Sequence, residues 1–91
     1  MFNKLKQFKD LRTQAKTMQD ALSQETITEE KGGVKITMNG NMEIMSVVIA
    51  DGQTKASIES DTKNCLNEAI KRTQRLMAKK LQDMGGFPGL N

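Results

Sequence analysis

The sequence predicts an α+β fold in the order α-β-β-β-α, a three-stranded antiparallel meander flanked by two long helices. Three observations carry this. Apolar residues recur at helical spacing at both ends of the chain, β-branched residues crowd the middle, and turn residues divide that middle into three short runs.

The first helix is expected over residues 3–24. Leu5, Phe8, Leu11, Ala15, Met18 and Leu22 follow one another at spacings of 3, 3, 4, 3 and 4. On a helix they fill an arc of roughly 140°. No Gly or Pro interrupts them, and Asn3 suits the N-cap.

Strands are expected over Thr26–Glu30, Val34–Met38 and Met42–Ile49. Val34, Ile36 and Met38 alternate with Lys35 and Thr37, the pattern of a half-buried strand. Asn39-Gly40 follows at once, and both residues tolerate the positive φ of a type I′ turn. Lys31-Gly32-Gly33 makes the other turn. In the third run Ile44, Met45, Val47 and Val48 break strict alternation, so its inward face is ambiguous.

Asp51-Gly52 ends the sheet. A second helix is expected to start at Ser57 or Ser60, with Glu59 and Asp61 near the positive end of its dipole. Cys65, Leu66, Ala69, Ile70, Thr73, Leu76, Met77, Leu81 and Met84 give it a broad apolar face. Gly85-Gly86 ends it and Pro88 prevents continuation.

Residues 1–91 are read as one domain, with 86–91 a loose C-terminal tail. A chain of 10.1 kDa buries only ~64% of its surface on folding. Three Phe are its only aromatics, and seven Met supply much of its apolar content. Met packs adaptably and specifies a core poorly. A helix from Ser60 to Met84 is about 36 Å long, against ~23 Å for a seven-residue strand. The overhangs stay apolar, with Leu5 and Phe8 at one end and Leu81 and Met84 at the other. A homodimer is therefore expected.

Composition excludes several chemistries. The chain has no His, which removes a His general base, a Ser-His-Asp triad and His-containing zinc sites. Its one cysteine, Cys65, cannot form an internal disulfide and reads as a small core residue. No apolar run approaches a membrane span, and the N-terminus lacks a signal peptide's apolar segment, so a cytoplasmic location is expected. The acidic residues are scattered, and neither Gly32-Gly33 nor Gly85-Gly86 has phosphate-loop spacing. No enzymatic activity, cofactor, metal or small-molecule substrate is expected.

The net charge is +3, unevenly distributed. Residues 1–25 carry +2, residues 26–60 carry −2 and residues 61–91 carry +3. Lys9, Arg12 and Lys16 fall at i, i+3 and i+7 on one edge of the first helix. Lys71, Arg72, Arg75 and Lys79 cover an arc of about 100° on the polar side of the second. Two-fold symmetry would double each stripe. Such arrays neutralise phosphates and release counterions, although a basic outer face is also ordinary solubility chemistry. No helix-turn-helix, zinc finger or aromatic platform for base reading is present.

Four segments in order resemble the YbaB/EbfC nucleoid-associated proteins. Gln14-Ala15-Lys16-Thr17-Met18-Gln19 is similar to that family's Q-A-x-x-M-Q. Gly32-Gly33 followed by Val34-Lys35-Ile36-Thr37-Met38-Asn39-Gly40 resembles its Gly-rich turn and hairpin. Asn67-Glu68-Ala69 resembles its N-x-A, and Gly85-Gly86-Phe87-Pro88-Gly89-Leu90 its C-terminal G-G-x-x-P-G-L. Residues 50–60 lack the longer acidic, Leu-rich stretch common in the family. The resemblance implies a tweezer-like homodimer that binds double-stranded DNA at the bacterial nucleoid, without enzymatic activity. It points to Lys9, Arg12, Lys16, Lys71, Arg72, Arg75 and Lys79 as DNA-binding candidates. The competing reading is a protein-interaction scaffold or small chaperone using Met-rich helix faces.

Overall fold

The chain folds in the expected order: α1 (Phe2–Ser23), β1 (Thr26–Lys31), β2 (Val34–Asn39), β3 (Ile44–Ile49) and α2 (Lys55–Asp83). The coordinates, a computed structural model, describe residues 2–83, with side chains from Lys9 onward. The expected C-terminal features, Gly85-Gly86 and the loose tail 86–91, lie outside the described residues. So do the side chains of Leu5 and Phe8, and Met84. Asn3 lies inside α1 rather than capping it.

The three strands form one antiparallel sheet in the order β1-β2-β3. β2 is central, with Ile36 opposite Glu29 on β1 and Val47 on β3. Val34, Ile36 and Met38 are buried on one face. α2 lies across that face and closes it with Cys65, Ala69 and Thr73, one helical turn apart and all fully buried. Small side chains at these positions let the helix axis approach the sheet closely. Cys65 Sγ lies 3.2 Å from the Glu29 carbonyl and 3.8 Å from that of Val34. Burial pushes the thiol pKa up, so Cys65 is a packed core residue rather than a nucleophile.

The first helix end and the second hairpin hold each other. The Gly40 N–H donates to the Leu22 and Glu25 carbonyls at 2.9 and 3.0 Å. Asn41 Nδ2 donates to the Gln19 carbonyl at 3.0 Å. Carbonyls at the end of α1 are thereby satisfied by the turn. Asn39 organises that turn from within, its Oδ1 accepting the N–H groups of Asn41 and Glu43.

This turn is not the expected type I′ turn at Asn39-Gly40. Met42 N–H bonds the Asn39 carbonyl, and Asn39 N–H bonds that of Glu43. The loop is therefore three residues, 40–42, and the positive φ falls on Met42, at 62°, rather than on Gly40. A three-residue hairpin loop takes a turn followed by one left-handed residue, which is this arrangement. Gly40 is required for closeness: a Cβ there would sit 2.5 Å from the Leu22 carbonyl oxygen. At the first hairpin Gly32 does take a positive φ, 54°, packed against Asp61.

The second helix also begins earlier than Ser57 or Ser60. Thr54 is its N-cap, the hydroxyl accepting the Ser57 N–H at 3.1 Å. Ser57 sits inside the first turn, where its hydroxyl donates to Gln53 or Asp61.

β3 is unlike the rest of the sheet. Thr37 pairs with Ser46 but Met38 with Ile44, so Met45 is an inserted residue, a β-bulge. The bulge explains the broken alternation of this run. Ile44, Met45, Val47, Val48 and Ile49 are each between 44% and 59% exposed.

Candidate nucleic-acid interface

Helical spacing places Lys9, Arg12 and Lys16 on one side of α1, where all three are exposed. With Thr13, Ala15, Gln19 and Asp20 they line a shallow, open concavity along that side of the helix. None of the three cations forms an ion pair among the described residues. The same helix turns its Met18–Leu22 side toward Met77 and Leu81 at the end of α2, half-burying those side chains. Ala15 and Gln19 border both this apolar groove and the basic concavity.

The four candidates on α2 separate into two kinds. Arg75 and Lys79 are exposed, without ion-pair partners among the described residues. Lys71 lies 3.8 Å from Glu68 on its own helix, a loose surface pair. Arg72 turns back to the sheet, where its guanidinium donates to Glu29 Oε2 at 2.6 Å and to the Thr28 carbonyl at 3.1 Å. Lys80, which the sequence did not single out, bonds Glu25 at 3.2 Å. Arg72 and Lys80 thus fasten α2 to β1 and the segment before it.

One exposed surface is apolar. Ile44, Val47 and Ile49 are the direct partners of buried Met38, Ile36 and Val34, so they lie on the face that α2 covers. Yet α2 stops short of them. Among the described residues the helix overhangs expose less: Leu11 is 42% exposed, while Met77 and Leu81 are half-buried. No group of His, Cys, Asp and Glu among the described residues is arranged to hold a metal ion. No described helix is long and apolar enough to cross a membrane.

An α-β-β-β-α chain with one helix on its sheet, a bare apolar edge strand and exposed cations on both helices belongs to the class of small α+β proteins. Comparison makes the class specific. The model of the YbaB/EbfC DNA-binding family matches residues 1–87, and the chain belongs to that family. It is 30% identical to a nucleoid-associated protein of Caldanaerobacter subterraneus subsp. tengcongensis, over 97% of this chain and 87% of the relative. A nucleoid-associated protein of Thermoanaerobacter sp. is 27% identical over the same shares. The crystal structure of an uncharacterized protein from Helicobacter pylori has the same fold. Its TM-score is 0.78 at 19% identity, covering 94% of this chain and 98% of that one.

Proposed function

We propose that this protein is a nucleoid-associated homodimer of the bacterial cytoplasm that holds double-stranded DNA through its phosphates, with little sequence preference. The observation that carries the reading is the row Lys9, Arg12 and Lys16, exposed along one concavity and unengaged by carboxylates among the described residues. Family membership and the names of the relatives point the same way. Arg75 and Lys79 add exposed cations on α2, with Lys71 one turn before Arg75 on the same helix. Arg72 is the least available of the seven candidates, being engaged with β1.

The dimer is proposed to close over β3. Ile44, Val47 and Ile49 are exposed together on the face that α2 leaves open, and solvent is a poor neighbour for such a patch. The chain exposes 6872 Å², whereas a compact monomer of this mass exposes about 5,300 Å². A second copy would cover part of the difference and double the basic row.

A DNA gel-shift series in salt tests this. With about six phosphates neutralised per dimer, affinity should fall roughly 10³-fold between 50 and 200 mM salt. Replacing Lys9, Arg12 and Lys16 by Gln keeps helix propensity. That variant should fold and dimerise normally, bind more weakly and show a shallower salt slope. Changing Lys31 and Lys55 should matter less. An unchanged slope in the helix variant would sink the assignment of this row. If duplex is not bound even at low salt, the interaction-scaffold reading takes its place.

A further inference from the structure

Every residue of α1 from Lys9 to Thr17 is exposed, whereas Met18, Ala21, Leu22 and Ser23 are buried or half-buried. The stretch that carries Lys9, Arg12 and Lys16 therefore stands clear of the core. Among the described residues, its direction is set at the C-terminal end of the helix. Two kinds of contact hold that end. Met18 and Leu22 face Met77 and Leu81 across a groove bordered by Gln19 and Asn41. Apolar contact is non-directional and lets one helix tilt against the other. The hydrogen bonds from the 40–42 loop are directional.

Those bonds reach α1 at two levels. The Gly40 N–H donates to the Leu22 carbonyl at 2.9 Å. Asn41 Nδ2 donates to the Gln19 carbonyl at 3.0 Å, almost one turn nearer the basic row. A single bond leaves a pivot, and a second one a turn away resists tilting about it. Asn41 is itself held, its N–H donating to Asn39 Oδ1 at 2.9 Å. Asn39 is buried, and its Nδ2 donates to Glu43 at 3.0 Å. The Asn41 amide is thus presented to the helix from a prebuilt loop. Leverage makes the second bond matter. Lys9 lies about 20 Å along the helix from Leu22, so a tilt of about 10° moves it ~3.5 Å, one phosphate step along a duplex strand.

We propose, resting on the DNA-binding role above, that Asn41 is a positioning residue for the basic row. By holding the Gln19 carbonyl it sets the angle at which α1 leaves the domain, and so brings Lys9, Arg12 and Lys16 to the phosphates together. Asn41 is uncharged and releases no counterion of its own. Without its amide the same cations sit on a helix that must be ordered as DNA binds, and that ordering lowers affinity.

The angle can be read without DNA. Nitroxides at Thr13→Cys on α1 and Asn64→Cys on α2, both exposed positions, report it as an electron spin–spin distance. Fully buried Cys65 does not take the label, and dilution with unlabelled chains removes distances between copies. The parent should give one narrow distribution. Asn41→Ala should broaden it, and so should Asn41→Asp, which keeps the size of the side chain without the donor. Both should melt cooperatively, since the lost bond lies at the surface. A width like the parent's in either variant would overturn the proposal, and lower affinity with that width would make Asn41 a direct DNA contact instead. In gel shifts Asn41→Ala should bind duplex roughly two- to tenfold more weakly. Its salt slope should match the parent's, because no cation is lost. Unchanged affinity, or a shallower slope, would overturn the positioning role. Replacing Lys9, Arg12 and Lys16 by Gln keeps the two readings apart. If that variant binds like the parent, the basic row is misassigned and the proposal falls with it, whatever the Asn41 variants do.

Discussion

Val34, Ile36 and Met38 on β2 are sealed beneath α2, whereas their direct partners on β3, Ile49, Val47 and Ile44, stand open on the same face. The contrast has a geometric cause. A helix with its side chains is about 10–12 Å across, and strands lie ~4.8 Å apart. One helix therefore covers about two strands. α2 is held over β1 and β2 by Arg72 to Glu29 and by Lys80 to Glu25. α1, fixed at its C-terminal end to the 40–42 loop, does not supply the second cover. A three-stranded sheet with one helix on it leaves a third of its apolar face for another molecule to bury.

The two halves should respond to substitution in opposite ways, and this is where the largest effect is expected. Ile36→Ala removes fully buried methyl groups from the sealed half and should cost about 2–5 kcal/mol, read from the urea midpoint. Val47→Lys changes a half-exposed side chain in the open half. Its cost to the fold of the single chain should stay within about 0.5 kcal/mol. Sedimentation should nonetheless show the dimer dissociating, because a buried lysine would face the partner unpaired. A Val47→Lys protein that stays dimeric would move the interface off β3. One that unfolds would mean β3 is already part of a closed core.

A smaller effect separates the loop that holds α1 from an ordinary hairpin turn. Gly40→Val pushes a Cβ to within 2.5 Å of the Leu22 carbonyl oxygen, which belongs to backbone and cannot swing away. Overpacking of that kind costs about 1–3 kcal/mol, and each kcal/mol lowers Tm by roughly 4–8 °C in a domain of this size. An unchanged Tm would mean the loop does not sit against α1.

Much of this was legible in the sequence, and the rest was hidden for identifiable reasons. The order of elements follows from local periodicity, which needs no partner to be read. The burial of Val34, Ile36 and Met38 follows from their alternation, and the exposure of Lys9, Arg12 and Lys16 from their place off the apolar stripe. Gly40 was misassigned because Asn-Gly is a strong local signal, whereas its contact is with Leu22, eighteen positions away in the chain. The start of α2 was misplaced because Thr54, Ser57 and Ser60 are all capable caps, and only geometry selects among them. The open face of β3 was half-visible: its failure to alternate was plain, but the bulge at Met45 that produces it depends on pairing with β2. The engagement of Arg72 had no local sign, since Glu29 lies 43 positions earlier.

That engagement gives the smallest effect, and the finest test of the division within α2. Arg72 and Arg75 are neighbours on one helix and identical in charge, yet one is tied to β1 and the other is not. The Arg72–Glu29 pair is short but its arginine is 45% exposed, so screening limits its worth. Arg72→Gln should cost no more than ~1 kcal/mol of stability, and less at high salt. Arg75→Gln should leave stability unchanged. For DNA the order should reverse. Arg75→Gln removes an available cation and should lower the salt slope by about one per site lost. Arg72→Gln removes a cation whose charge is already offset by Glu29, and should change the slope less. Equal slopes for the two variants would show that Arg72 releases Glu29 when DNA binds. A steeper loss with Arg72→Gln would place the contact surface on the β1 side of α2 rather than along Arg75 and Lys79.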